Sequence, residues 1–162
     1  MAQIDLKNAT IKIKDGTSPT PLQLTLKIGE GNLTWTEKQP RKYVKDRGVL
    51  DTVVDDDQEG VDLRFDLIWE FLRASSGSGT PTPHDALKKR GEASAFVSTD
   101  SDACAPYAVD IEVTHVPPCA GVQTETVLFS DFRFETLEQD LRNGTLSVSG
   151  MCNITEPTVT RS

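Results

Sequence analysis

The sequence predicts a mainly β protein: an antiparallel β-sandwich or barrel with one short flanking α-helix and a long charged hairpin arm. Apolar and polar residues alternate in several segments, as in strands with one face on a core. Only one segment has the punctuation of a helix. A long charged stretch separates two of the strands. The chain has 162 residues, a length that suits one domain.

The strands follow from period-two alternation. In the strongest case Val61, Leu63 and Phe65 alternate with Asp62 and Arg64, so that one face of the strand is apolar and the other polar. The polar halves of these strands must face solvent, a lumen or another subunit. The alternation predicts strands at 11–13, 22–28, 61–71, 107–113, 132–134 and 146–154.

A single helix is predicted at about 83–90. Thr82 can cap its first turn, a proline begins it, and Gly91 is expected to stop it. The preceding segment, about 75–82, is rich in Ser, Gly and Thr and is expected to be a flexible link. A second short helical turn is a weaker expectation at 136–141.

The charged stretch, at about 37–60, has a basic half followed by an acidic half. It is too long and too poor in apolar residues for a compact loop, and such segments are usually functional or ordered by a partner. It is either a solvated hairpin with cross-strand ion pairs, or an arm that is mobile in a free monomer and docks on a neighbouring subunit. The candidate arm residues are Lys38, Arg41, Lys42, Lys45, Arg47, Asp51, Asp55, Asp56, Asp57 and Glu59.

Charge and cysteine usage restrict the function classes. The net charge is −8 and the pI about 4.7, which argues against a protein that grips nucleic acid, because binding phosphates requires a basic face. The three cysteines lack metal-binding spacing and are expected to be free thiols. We also expect no signal peptide and no membrane-spanning segment.

No arrangement of residues points to catalysis. His84 and His115 stand in different elements without triad or metal spacing. The acidic run 55–60 lacks the ligand pattern of a calcium loop. Trp35 and Trp69 could be sugar-stacking platforms, but they are in phase with aliphatic strand positions, where a core tryptophan is expected. We therefore expect no enzyme, no catalytic, metal or cofactor-binding residues, and no cofactor.

The order of these features is similar to that of a known family. The similarity is carried by residues 4–16, by 27–38 leading into the arm that ends in Asp46-Arg47-Gly48, and by 61–72, 102–113 and 141–153. Together these segments resemble the major tail tube proteins of long-tailed, siphovirus-type bacteriophages, over nearly the whole chain. The motifs are structural and contain no catalytic pattern.

The resemblance implies a single tail tube domain over 1–162. Six copies would form a ring, rings would stack into a tube, strands would join edge to edge around a lumen, and the arm would reach the adjacent ring. The chain's partners would be itself and other tail proteins such as the tape measure, tail terminator and baseplate. DNA would pass through without specific binding during ejection, and no membrane is involved. The protein would be located in the virion tail, after assembly in the host bacterial cytoplasm.

An acidic wall would suit such a conduit, because it repels phosphate rather than binding it. The candidate lumen-facing acids are Asp62, Asp66, Glu70, Asp110 and Glu112. The sequence does not assign either strand to the wall. Two alternatives remain open: a soluble β-sandwich module that binds carbohydrate or protein, and a related bacterial secretion-tube protein.

Overall fold

A computed structural model describes residues 5–26, 28, 31–68, 81–119 and 121–162. These residues form ten strands, one α-helix (α1, Pro83–Lys88) and two short 3-10 turns, Leu6–Asn8 and Gly91–Ala93. The strands are β1 (Ala9–Lys14), β2 (Gln23–Leu26), β3 (Leu33–Thr36), β4 (Arg41–Asp46), β5 (Val49–Asp55), β6 (Val61–Ile68), β7 (Val109–His115), β8 (Glu125–Asp140), β9 (Thr145–Cys152) and β10 (Thr158–Arg161).

Strand β8 is shared by the two layers of the molecule. All pairings are antiparallel, and the strand order is β2-β1-β7-β8-β9-β6-β3, with β10 also beside β8. The first half of β8 pairs with β7 and β10, and its second half pairs with β9. At the junction, Phe132 lies opposite both Val109 and Cys152. We call β2-β1-β7, the first half of β8 and β10 the first layer, and the second half of β8 with β9-β6-β3 the second layer.

The two layers pack face to face. Trp35 of β3 and Phe129 of β8 lie with ring centroids 5.2 Å apart in an edge-on arrangement. Because β3 and β8 are not neighbours in the sheet, this contact crosses the sandwich. The largest fully buried side chains are Phe65, Phe129, Phe132, Ile11, Ile13, Leu63, Leu67, Ile111, Leu146, Val61, Val109 and Val148. The predicted mainly β, antiparallel fold is confirmed.

The alternation places apolar residues on the core as predicted. Along β6 the odd positions are buried and Asp62, Arg64, Asp66 and Ile68 are not. The strand was expected to continue to residue 71, but residues 69–80 lie outside the described part of the chain, with Trp69, Glu70 and most of the expected link.

A bulge in β8 marks the place where the strand passes from one layer to the other. Asp131 has a positive φ of 55°, and the pairing with β7 shifts register between Val109 and Ile111. The Asp131 amide donates to Asp110 Oδ1 at 3.1 Å, and Thr99 Oγ1 donates to Asp131 Oδ1 at 2.8 Å. Such an extra residue bends a strand and increases its twist. The helical turn expected at 136–141 is wrong, because β8 continues to Asp140.

The helix begins where it was predicted and ends earlier. Thr82 Oγ1 accepts a hydrogen bond from the Asp85 amide at 3.2 Å, as an N-cap residue does. The helix ends at Lys88, and Lys89 takes the left-handed conformation that terminates it. The expected end at residue 90 is therefore two residues late. Gly91 does not stop the helix but begins the next 3-10 turn, with φ of 58°.

A buried aspartate fixes the segment after β1. The Asp15 carboxylate accepts hydrogen bonds from the amides of Thr17, Leu22 and Val97 and from Thr17 Oγ1. Burial raises the pKa of Asp15, but these hydrogen bonds outweigh burial and leave that pKa below its usual value. Alternation could not reveal this role, because all the donors lie outside regular strands.

Candidate functional site: a projecting arm and two polar faces

The charged stretch is a β-hairpin that stands apart from the sandwich. β4 and β5 form a two-stranded sheet of their own. Arg47 and Gly48 join them, both with positive φ (51° and 83°), as in the type I′ turns that match the twist of hairpins. The predicted hairpin arm is confirmed. We call residues 37–60 the arm.

The arm exposes apolar surface as well as charge. Every residue of β4 and β5 is exposed, and none contributes to the core. Six of them are large apolar residues: Tyr43, Val44, Val49, Leu50, Val53 and Val54. This stretch was expected to be poor in apolar residues, but six of its strand residues are large and apolar; its mobility in a free monomer stays a prediction. Neighbouring pairs of apolar residues, rather than single alternating ones, are the sequence feature that was missed.

Ion pairs are concentrated at the base of the arm. Lys38 Nζ lies 2.9 Å from Asp62 Oδ2 and 3.9 Å from Glu59 Oε2, and the hydrogen bond to Asp62 raises the pKa of Lys38. Arg41 Nη1 lies 2.7 Å from Asp55 Oδ1 across the hairpin. These contacts fit the expected cross-strand pairing, and exposed pairs of this kind contribute little stability.

The basic residues further along the arm differ from those at its base. Within the described part of the chain, no salt bridge involves Lys42, Lys45 or Arg47. Their charges are therefore available to another molecule.

The predicted lumen-facing acids do not lie together. Asp62 and Asp66 are on β6 in the second layer, whereas Asp110 and Glu112 are on β7 in the first. Since the apolar sides of both strands face the shared core, the two acidic pairs point away from opposite sides of the sandwich. One channel can be lined by only one of the two pairs. Glu70 lies outside the described residues.

The outer face of the first layer is balanced in charge. Lys14 Nζ lies 2.5 Å from Glu112 Oε2. In register, Lys12 stands opposite Glu112, and Lys14 stands opposite Asp110. Burial raises the pKa of Asp110, so this carboxylate is costly to keep charged. The two lysines offset the two acids.

The outer face of the second layer carries slightly more acids than bases. Arg64 lies opposite Ser149, and Asp66 lies opposite Ser147, which in turn pairs with Glu138. A shallow depression with Arg64, Ser147, Ser149 and Glu138 in its lining shows that these side chains share the face. The charged residues of this face are Asp62, Asp66, Glu138 and Asp140 against Arg64 and Arg133, which lies opposite the Met151 that also pairs with Asp62, and Lys38 forms an ion pair with Asp62. Glu138 and Asp140 were missed because a helical turn was expected there.

Apolar side chains are exposed at both ends of the sandwich. The arm leaves from the end where β3 finishes and β6 begins. At the other end of β6, Ile68 pairs with Thr145 beside the β8–β9 turn. Leu141 in this turn is 74% exposed, the highest value among the exposed large apolar residues of the described chain. Each end thus presents apolar surface, on the arm at one end and at Leu141 at the other.

The two histidines and Trp35, also named from the sequence, contact neighbouring side chains. His84 contacts Arg90 and lies 2.9 Å from Gln139. His115 is 6% exposed at the end of β7, with Nε2 3.9 Å from Asp5 Oδ1. Trp35 faces the core as expected, opposite Leu63 and against Phe129, and it is 43% exposed because β3 is an edge strand.

The described residues also bear on metal binding and membrane crossing. They contain no group of three or more His, Cys, Asp or Glu side chains that could hold a metal ion. Within the same ranges, no helix has the length and apolar character needed to cross a membrane.

Comparisons with known proteins include a distant likeness to a solved structure. No known family matches the chain, and no curated protein matches its sequence. A chain of the "Cryo-EM structure of the anti-feeding prophage (AFP) baseplate, 6-fold symmetrised" is similar at a TM-score of 0.38 and 12% identity, over 99% of this chain and 97% of that one. At that TM-score the likeness carries no argument about what this chain does.

Proposed function

We propose that the chain is a non-enzymatic subunit of a bacteriophage tail tube, which polymerises as stacked hexameric rings into the conduit for DNA ejection. The observation that supports this most is the folded arm with its six exposed large apolar side chains. Exposed apolar side chains concentrated on one projecting element are typical of an interaction site. The resemblance of the sequence to major tail tube proteins supplies the type of assembly.

A tube needs two kinds of heterologous contact, one that closes a ring and one that repeats along the axis. The arm is suited to the axial contact, because it leaves the sandwich at one end. The ring contact would use open sheet edges, which pair readily with another chain. In the described sheet, β2 and β3 are the terminal strands, and β10 lies beside β8 off the main path.

The outer face of the second layer is the better candidate for the channel wall. Four acids against Arg64, Arg133 and Lys38 leave an excess of negative charge that would repel DNA phosphates, whereas the two acids of the first layer are matched by two lysines. On this assignment Asp62 and Asp66 line the lumen, and Asp110 and Glu112 face away from it. Glu138 and Asp140 extend the acidic wall.

The partners follow from the same role. The chain would bind copies of itself and, at the ends of the tube, other tail proteins such as the tape measure, terminator and baseplate proteins. DNA would pass through without specific binding. The protein would be located in the virion tail, after assembly in the cytoplasm of the host bacterium.

Negative-stain microscopy of the purified protein over a range of concentrations tests the proposal. Hollow rings or tubes are expected. Uniform small monomers at all concentrations would favour the rival, a β-sandwich module that binds carbohydrate or protein. The ring number can be read from end-on views, and six is the expected value.

A further inference from the structure

The turn between β8 and β9 contains the one asparagine of the sequence that is followed by a glycine. This is Asn143-Gly144, whereas Asn8, Asn32 and Asn153 precede alanine, leucine and isoleucine. Asparagine is a thermolabile residue, because the main-chain nitrogen of the next residue can attack its side-chain amide carbon. A glycine in the next position obstructs this attack least, since it has no Cβ. The sequence therefore singles out Asn143 for this chemistry.

The structure leaves both groups of this pair accessible. Asp140 pairs with Thr145, so that residues 141–144 form the whole turn. Asn143 is exposed and Gly144 is half-buried. Gly144 has a φ of 63°, and a Cβ added to it would meet no described atom within 4 Å. The attacking nitrogen is therefore unobstructed, and water reaches the site as it does at other exposed loop tips.

The Asp140 carboxylate restrains the side chain of Asn143. Its Oδ2 accepts a hydrogen bond from Asn143 Nδ2 at 2.7 Å, and its Oδ1 accepts from the main-chain amides of Arg142 and Asn143 at 3.0 and 3.3 Å. Hydrogen bonds to an ionised acceptor are stronger than neutral ones. They hold the side-chain amide towards the preceding residues, whereas the attacking nitrogen belongs to the following residue. Asp140 therefore opposes the geometry that the reaction needs.

We propose that Asn143 is a site of spontaneous modification, which deamidates in the folded protein at a rate set by its hydrogen bonds to Asp140. The Gly144 nitrogen bonds to Asn143 Cγ, the Cγ–Nδ2 bond breaks, and the side-chain nitrogen leaves as ammonia with the proton of the Gly144 amide. Water then opens the cyclic imide at either of its two carbonyl carbons. The product is aspartate or isoaspartate, and water is the one co-reactant.

The modification changes both the charge and the shape of the turn. Each modified copy carries one more negative charge than the −8 of the unmodified chain. The new carboxylate cannot donate a hydrogen bond to Asp140, so attraction is replaced by repulsion between like charges. Isoaspartate also adds one carbon to the main chain, beside the exposed Leu141. Copies of different age therefore differ at the end of the sandwich opposite the arm, whether or not the chain assembles.

The test follows the folded protein over several days at mildly alkaline pH. Peptide mapping by mass spectrometry detects the exchange of an amide NH₂ for OH at each asparagine, and methylation by an isoaspartate methyltransferase detects isoaspartate. Asn143→Gln is a negative control, because its longer side chain cannot form the same ring. Asp140→Ala removes the restraint. Glu138→Ala is its matched control, since it removes an acid of the same strand that has no hydrogen bond to the described turn. Circular dichroism confirms that each variant folds.

In the wild type, Asn143 is expected to be converted while the other three asparagines stay intact, and Asn143→Gln should abolish the signal. Asp140→Ala should speed the conversion about tenfold, the factor that corresponds to about 1.4 kcal/mol of lost hydrogen bonding, and Glu138→Ala should change it less than about twofold. A wild-type Asn143 that stays intact would overturn the proposal, and so would equal conversion of all four asparagines. Equal rates in Asp140→Ala and Glu138→Ala would overturn the role of Asp140.

Discussion

Strand β6 and the arm use apolar residues in opposite ways. In β6, apolar and polar residues alternate singly, so that one face is buried in the chain's own core and the other is wet. In β4 and β5 the apolar residues come in adjacent doublets, such as Tyr43-Val44 and Val53-Val54, which places them on both faces. The sandwich therefore buries one face of its strands in a core, while the apolar residues of the arm stay exposed on both faces.

The largest difference is expected when one aromatic residue is removed from each region. Phe129→Ala deletes a fully buried ring and its contact with Trp35, and should lower the free energy of unfolding by about 3–5 kcal/mol. Tyr43→Ala, on the exposed arm, should change that free energy by less than about 0.5 kcal/mol but impair assembly. Denaturant unfolding of monomers and sedimentation of assemblies measure the two effects. A large loss of stability for Tyr43→Ala would contradict the independence of the arm.

A smaller effect is expected at Asp15, a polar residue on which the sandwich depends. In Asp15→Asn an amide NH₂ would replace an oxygen that accepts from Thr17 and Val97. The substitution should lower the free energy of unfolding by about 1–3 kcal/mol at neutral pH. Assembly is expected to change only through that loss of stability, since the arm is untouched.

The pH dependence gives Asp15 a second readout. Because its folded pKa is lowered, the carboxylate stabilises the fold above its unfolded pKa of 3.8, and the stabilisation is lost as the pH falls through the lower folded value. The gap in stability between wild type and Asp15→Asn should therefore close as the pH falls below about 4. A gap that is constant with pH would show that the carboxylate charge is not involved.

The same comparison explains what could be predicted from the sequence. Single alternation indicated β6, β7 and β9 correctly, because a strand buried on one side has to alternate. The doublets of β4 and β5 follow no such rule, since no part of the described chain buries them. The bend in β8 at Asp131 depends on tertiary pairing with two layers. The separation of Asp62 from Asp110 likewise required knowing which layer each strand joins.

The smallest effect is expected at the turn of the arm. Arg47 takes a left-handed conformation that asparagine tolerates better, and Gly48 already favours the turn. Arg47→Asn should hold the turn in its folded conformation before assembly, a gain of about 0.5–1 kcal/mol. The critical concentration for assembly should therefore fall a few-fold, and the midpoint of thermal unfolding should not change. Gly48→Ala should act in the opposite direction. If both variants weakened assembly equally, the charge of Arg47 would matter more than its conformation.

Microscopy of an arm-less variant tests the central claim most directly. The Asp56 amide donates to the Pro40 carbonyl at 3.1 Å, so residues 41–55 can be replaced by Asn-Gly without stretching the base of the arm. The wild type is expected to form hollow tubes of stacked six-membered rings. The variant is expected to stay folded, with an unchanged unfolding midpoint, and to form no tubes. Normal tubes from the arm-less chain would contradict the account, and so would a wild type that remains monomeric.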